Sequence, residues 1–263
     1  MVRISGTSSV RALVAACGLL TSAGCLADSL DARTVLEDAK LYFTAPARWD
    51  GQEWMYFGGT LLAVGVAHEY DDNVRAHFAG RSHAADPGKD PHGLQQALPA
   101  IALLAGTWAS AALTHDDGRY AEGWSMLEAS ALSATSALAL KYAFGRERPN
   151  DTPDVDAWRE GADSYPSMHT TIAFAVGSVL AESGESRYRW VRRTLGYGVA
   201  GATAYLRLRD NVHWLSDTVT GAALGIASAR FVLNRRNGAE SRASMQIAPI
   251  DGGLLLTYSV PLH

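Results

Sequence analysis

A tetrahedral oxyanion is held by several cationic side chains, by hydroxyl donors and by the backbone N–H groups of a helix start. Three stretches of this sequence offer such groups. In KYAFGRERP, Lys141 to Pro149, Gly145 is a natural helix stop that leaves Lys141 in a last turn, and Pro149 biases Arg148 towards an extended conformation. The two cations can then converge on one point, although a basic helix C-terminus answering the dipole would use the same residues. In YPSMH, Pro166 and Ser167 open an apolar run, so Ser167 can offer its hydroxyl where backbone N–H groups face the same anion, and His169 follows within the first turn. A plain N-cap serine is the other reading. In RLRDNVHWLSD, His213 and Asp217 are four apart, the spacing of one helical face, and Arg207 stands six residues before His213. The carboxylate can hold one ring nitrogen and fix the tautomer, which frees the other nitrogen as a nucleophile. A solvated surface pair has the same spacing.

In combination the three stretches resemble the three-part signature of the type 2 phosphatidic acid phosphatase (PAP2)/vanadium haloperoxidase superfamily: K-x6-RP, PSGH and SR-x5-H-x3-D. They stand here as Lys141…Arg148-Pro149, Pro166-Ser167-Met168-His169 and Arg207…His213…Asp217, in the same order and with every internal spacing matched. The likeness extends over about residues 54–233. Met168 occupies a position where the family usually has Gly, and Leu206 one where it usually has Ser.

The resemblance implies an all-α bundle and a role for each matched residue. His213 would be the nucleophile that forms a phosphohistidine, with Asp217 as its orienter. His169 would protonate the leaving oxygen and then activate water. Lys141, Arg148, Ser167 and Arg207, with backbone amides near Met168, would hold the phosphate oxygens and stabilise the transition state. No cofactor and no metal is implied, because the cationic groups do that work. The implied activity is a phosphatase acting on phosphomonoesters or on lipid phosphates or diphosphates. The same resemblance admits a vanadium-dependent haloperoxidase, since vanadate mimics the phosphoryl transition state, although those enzymes are typically much larger. A non-catalytic anion- or lipid-binding protein with an inherited pocket is the third reading. Retention of both histidines and Asp217 argues against it, because binding alone needs no nucleophile.

Six apolar segments rich in Ala and Leu must position these groups: Trp54–Ala67, Ala97–Leu113, Ser125–Phe144, Thr170–Ala181, Leu195–Leu206 and Leu215–Leu233. Each is longer than an ordinary strand and bounded by Gly or Pro clusters, so six helices are expected. The three chemical stretches fall at helix ends. SMQIAPI and LLLTYSV, joined across Asp251-Gly252-Gly253, alternate as a β-hairpin would. The hairpin is expected to pack on the helical body as an accessory. The expected organisation is a leader over residues 1–27, an arm over 28–50, the PAP2-type domain over 51–237 and the hairpin tail over 238–263.

The leader reading rests on Arg3 and Arg11, the apolar run ALVAACGLL and the small residues of TSAGCLA, with Cys25 and Ala27 at the constrained positions of a cleavage site. Lipidation of Cys25 is the second reading of that stretch. Both cysteines lie in it, so no disulfide is expected in a mature protein that reads as exported and bacterial. The net charge of −4 gives no reason to expect a nucleic-acid partner. A phosphorylated small molecule or lipid is the expected partner, with a membrane surface as a further one.

The apolar runs are mostly shorter than the roughly 20 residues of a membrane span. A periplasmic protein, soluble or membrane-associated, is therefore expected ahead of an integral one with six spans. The stretch between the first two segments holds His68, His77, His83 and His92 without tight metal-ligand spacing, and reads as a solvated loop that could wall the site. Arg189, Arg192, Arg193, Arg230, Arg235 and Arg236 fall at the opposite helix ends, where they form a basic surface or face anionic lipid.

Overall fold

A computed structural model of the chain describes residues 32–81, 83–184, 186–240, 244–250 and 253–259. The expected leader and both cysteines lie outside the described residues. The chain divides into two compact units, Met1–Ala47 and Arg48–His263. Within the first, α1 (Ala32–Phe43) forms where a polar arm was expected. Its sequence, ARTVLEDAKLYF, is built of good helix formers and contains neither Gly nor Pro.

The second unit contains α2 (Gly51–Glu69), α3 (Asp71–Phe78), α4 (Gly93–Thr114), α5 (Asp117–Phe144), α6 (Met168–Glu182), α7 (Arg189–Arg209) and α8 (Leu215–Glu240). The six apolar segments each lie within one helix. The described residues nevertheless hold eight helices rather than six, because α1 and α3 form in stretches read as polar arm and loop. Helix α3 is short but carries Asp71 and Asp72 in its first turn and Arg75 and His77 in its last, which suits the helix dipole at both ends. Its Asp71 and Phe78 are buried and anchor it.

Capping chemistry fixes the start of α2 and the end of α5. Asp50 and Glu53 form a reciprocal capping box at the start of α2, with Gln52 N–H donating to Asp50 at 2.8 Å and Asp50 N–H donating to Glu53 at 2.9 Å. Gly145 ends α5 in the left-handed conformation at φ 52°, and its N–H donates to the Lys141 carbonyl at 2.9 Å. The chain leaves α5 there and carries Arg146 and Arg148 off the helix end.

Helix α6 is the central element, packed against α4, α5, α7 and α8. It buries small side chains such as Ala173, Ala175, Val176 and Val179, which lets its neighbours approach closely. At the crossing with α7, Gly177 and Gly196 face each other so tightly that a Cβ on either would run into the other's carbonyl oxygen. At the crossing with α8, a Cβ on Gly221 would stand 2.8 Å from the Ser167 carbonyl. These contacts set the spacing of the helix ends that meet at the site. Ser244–Ile250 and Gly253–Ser259 pair as antiparallel strands, with Ile247 opposite Leu256. The described contacts pair the two strands with each other, and the expected packing of the hairpin on the helical body finds no support.

The outer helices are apolar on their exposed sides. Trp54, Met55, Leu61 and Leu62 of α2 and Leu94 and Leu98 of α4 are all more than half exposed or close to it. Among the described residues, α4 is the one helix long and apolar enough to cross a membrane, and little of it is buried.

Candidate active site

The end of α5, the start of α6, the end of α7 and the start of α8 meet at one end of the bundle, and every sequence-predicted site residue lies on one of these ends. His213 and Asp217 do pair, with Nδ1 3.3 Å from the Asp217 carboxylate and both side chains buried. The pairing differs from the expected one. His213 precedes α8 and lies in a turn, so the two are not on one helical face. Asp217 sits in the first turn of α8 and folds back to accept the Trp214 N–H at 3.0 Å, which closes the turn and brings His213 over it.

Asp217 also accepts from Ser164 Oγ at 2.5 Å and from Arg146 at 3.0 Å. Burial pushes its carboxyl up from the ordinary range, and the Arg146 guanidinium and the Ser164 hydroxyl work against that rise. His213 is pushed well below the ordinary histidine value by burial first and then by the charges of Arg207, Arg148 and Lys141. Its imidazole is therefore neutral and its second nitrogen carries a lone pair, as a nucleophile requires.

Lys141 reaches off α5 to the carbonyls of Asp163 and Ser164, the latter at 3.5 Å. Burial lowers its ammonium to about 8, opposed by Asp163 and helped by Arg148. Arg148 donates to both oxygens of Asp163, at 3.1 and 3.4 Å, and to Asp90 at 3.4 Å. Arg207, fully buried in the last turn of α7, makes a two-point contact with Asp90 at 2.9 and 2.5 Å and donates to Gln96 at 3.0 Å.

Ser167 is fully buried at the N-cap of α6, yet its side chain does not cap the helix. Its backbone N–H donates to the Asp217 carbonyl at 3.1 Å and its Oγ accepts from Thr170 at 3.0 Å, which ties α6 to α8. Met168 and His169 follow in the first turn, both partly buried. His169 is lowered to about 4, by burial first and then by Arg207, with Arg148 and Lys141 adding to the effect and Asp90 opposing it.

The sequence reading missed four residues. Asp90 and Asp163 are the carboxylates that face the cationic cluster, and burial alone would raise both. The guanidiniums of Arg207 and Arg148 overcome it for Asp90, and Arg148 and Lys141 for Asp163. Arg146 and Asp71 form a buried ion pair of 2.8 Å behind Asp217. Arg146 stood within the spacer of the first motif, and its two neighbours Gly145 and Glu147 gave no hint of its direction. No local signal marked the three acids.

The histidine-rich stretch does contribute to the site, through Asp90 and through His92, which contacts Asp210 at 2.8 Å. Among the described residues no three His, Cys, Asp or Glu side chains group as a metal would need. The arginines at the far end are not a free basic surface. Arg192 pairs with Glu122, Arg193 with Glu182 at 2.7 Å, and Arg236 with Glu128 at 3.2 Å.

Residues 122–240, which hold all eight sequence-predicted site residues, match the family model described as the PAP2 superfamily. This segment belongs to the PAP2 superfamily. The PAP2 segment takes in α6, α7, α8 and most of α5, whereas Asp71, Asp90 and Gln96, which touch its key side chains, come from outside it. A lipid A 1-phosphatase of Porphyromonas gingivalis is 42% identical over 96 residues, which make up 36% of this chain. The match spans only 20% of that relative's length. No solved structure matches the chain.

Proposed function

We propose that the protein is a phosphatase that removes phosphate from lipid-linked phosphomonoesters or diphosphates through a phosphohistidine on His213. The observation that carries this reading is the pairing of His213 Nδ1 with Asp217 at 3.3 Å while the charges of Arg207, Arg148 and Lys141 all bear on the same imidazole. A neutral, oriented imidazole amid three cations is suited to attack on phosphorus, and poorly suited to binding alone.

In the first step His213 Nε2 attacks phosphorus, the P–O bond to the leaving group breaks, and His169 gives the departing oxygen a proton. In the second step water attacks the phosphorus, His169 takes up the water's proton, and the P–N bond breaks to release inorganic phosphate. Lys141, Arg148, Arg207, the Ser167 hydroxyl and the Met168 amide face the equatorial oxygens. The sequence of events needs no metal. His169, lowered to about 4 in the empty site, acquires its proton when the substrate's negative charge offsets the surrounding guanidiniums.

Two observations favour a lipid-linked substrate over a small soluble ester. One is the likeness to a lipid A 1-phosphatase over 96 residues. The other is the exposed apolar flank of α2 and α4, which ends beside the site where His68 and Gln96 stand. That flank suits attachment to a membrane, with the site at the periplasmic face after export. The test is phosphate release, in EDTA, from phosphorylated lipid A, phosphatidate, undecaprenyl diphosphate, nucleotides and sugar phosphates, alongside flotation with lipid vesicles. Preference for a lipid substrate together with co-flotation is the expected result. Release from none of these substrates overturns the phosphatase reading, and release from the soluble esters alone overturns the lipid-linked one.

A further inference from the structure

Behind the proposed nucleophile lies a buried polar network that the three motifs do not account for. Arg146 is fully buried, and its guanidinium is sandwiched between two indoles, 4.3 Å from the Trp158 ring and 4.8 Å from that of Trp214. Nη1 donates to Asp217 at 3.0 Å and to Ser216 Oγ at 2.7 Å. Nη2 donates to Asp71 at 2.8 Å and to the Val155 carbonyl at 2.7 Å. Asp71 in turn accepts the Ser216 N–H at 2.8 Å and the Ser216 hydroxyl at 2.6 Å, and contacts His68 Nδ1 at 3.1 Å. One planar cation thus joins the start of α3, the loop after α5 and the start of α8.

We infer that Arg146 is a positioning residue for the proposed phosphohistidine chemistry: it holds the Asp217 carboxylate in place, and through it the tautomer and direction of His213. Three physical arguments carry this. First, two fully buried carboxylates, Asp71 and Asp217, share this single guanidinium. A buried charge without a partner is strongly unfavourable, so Arg146 is what lets Asp217 stay ionised beside the imidazole. Lys141, His68 and Tyr165 also stand near, but none of them contacts the Asp217 carboxylate directly.

Second, the Asp217 oxygens are divided. Oδ1 takes the Arg146 bond, and Oδ2 takes Ser164, Trp214 N–H and His213. Arg146 therefore fixes the rotation of the carboxylate while leaving the other oxygen to the imidazole. Third, both terminal nitrogens of the fork are used. A guanidinium reaches both acids at once from one position, whereas an ammonium at the same place reaches one of them. The stacking between Trp158 and Trp214 removes the remaining freedom of the plane. Arg146 contacts no residue assigned to the phosphate oxygens, so its effect on anion binding is indirect.

The inference rests on the phosphatase reading for its kinetic consequence, but not for its structural one, and the test separates the two. Arg146→Lys and Arg146→Gln are compared with the parent protein by three measurements. These are kcat and KM on p-nitrophenyl phosphate, the Kd of sulfate, and the tautomer of His213 from long-range ¹⁵N–¹H spectra, assigned by loss of the signal in His213→Gln.

The parent is expected to hold the Nδ1–H tautomer. Arg146→Gln is expected to show a mixture with a kcat loss of about 100-fold, and Arg146→Lys a partial rescue with a loss of about 10-fold. KM and the sulfate Kd stay within a few-fold in both. If Arg146→Gln does not fold, Arg146→Lys alone carries the same split. A parent-like tautomer in the folded variants overturns the inference, and so does a sulfate Kd that weakens in proportion to kcat. If the parent releases no phosphate, the phosphatase reading fails, and the His213 tautomer still decides whether Arg146 positions the pair.

Discussion

Binding of a dianion should switch on the proton that His169 is proposed to donate. In the empty site its pKa stands at about 4 against an ordinary value of 6.5, because it is buried among the positive charges of Arg207, Arg148 and Lys141. The perturbation is sulfate, a tetrahedral dianion that does not itself titrate in the range of interest. Once its charge offsets those guanidiniums, the His169 value returns at least to 6.5. Affinity must then rise as pH falls, since the bound form takes up a proton that the free form refuses. With these two values, sulfate binds roughly 25- to 30-fold more tightly at pH ~5 than at pH ~7.5, with uptake of about 0.9 proton at pH ~5.5. Asp90 and Asp163 are held below the ordinary carboxylate range by the same cations in the free protein. Lys141, at about 8, stays charged over most of the range. Isothermal titration calorimetry in buffers of different ionisation heat reads both the affinity and the proton count. His169→Gln should bind sulfate with little dependence on pH. Equal pH dependence in His169→Gln and the parent would refute the assignment of that proton to His169.

His213→Ala should lower turnover of p-nitrophenyl phosphate by on the order of 10,000-fold while sulfate still binds within a few-fold, because no other group there can form the covalent intermediate; residual turnover near the parent's would move the nucleophile elsewhere. Met168→Gly is expected to keep its rate on a small ester and to change the ratio between small and lipid-linked substrates, since Met168 stands partly exposed between Ser167 and His169. An unchanged ratio would place its side chain away from the substrate. Gly196→Ala should lose about 1–3 kcal/mol and melt several degrees lower, because the added methyl meets the Gly177 carbonyl across the α6–α7 crossing; a thermal melt that matches the parent's would show the crossing to be slack.

Local spacing was enough to pick out residues that meet at one end of the bundle, and most of the scaffold. Lys141, Arg148, Ser167, His169, Arg207, His213 and Asp217 carry their own context, because each sits at a helix end marked by Gly, Pro or a change of hydrophobic pattern. The six apolar segments were legible because each is rich in Ala and Leu, longer than an ordinary strand and bounded by Gly or Pro clusters. Helices α1 and α3 were not, because both are polar enough to pass for loop and are recognised by helix formers or by end charges rather than by an apolar stripe.

Even a correct pair carried a wrong geometry. The spacing of His213 and Asp217 fits a helix face, but the Trp214 N–H bond to Asp217 makes a turn of it, and four-residue spacing serves both. What no spacing could supply is the set of opposite charges. Arg207 finds Asp90 at 117 residues' separation and Ser216 finds Asp71 at 145. Arg146, read as spacer, turns inward only because Asp71 and Asp217 arrive there from α3 and α8. Coulomb attraction and the cost of burying an unpaired charge act through space, so which acid answers which arginine, and how far each pKa moves, was settled when the helices packed.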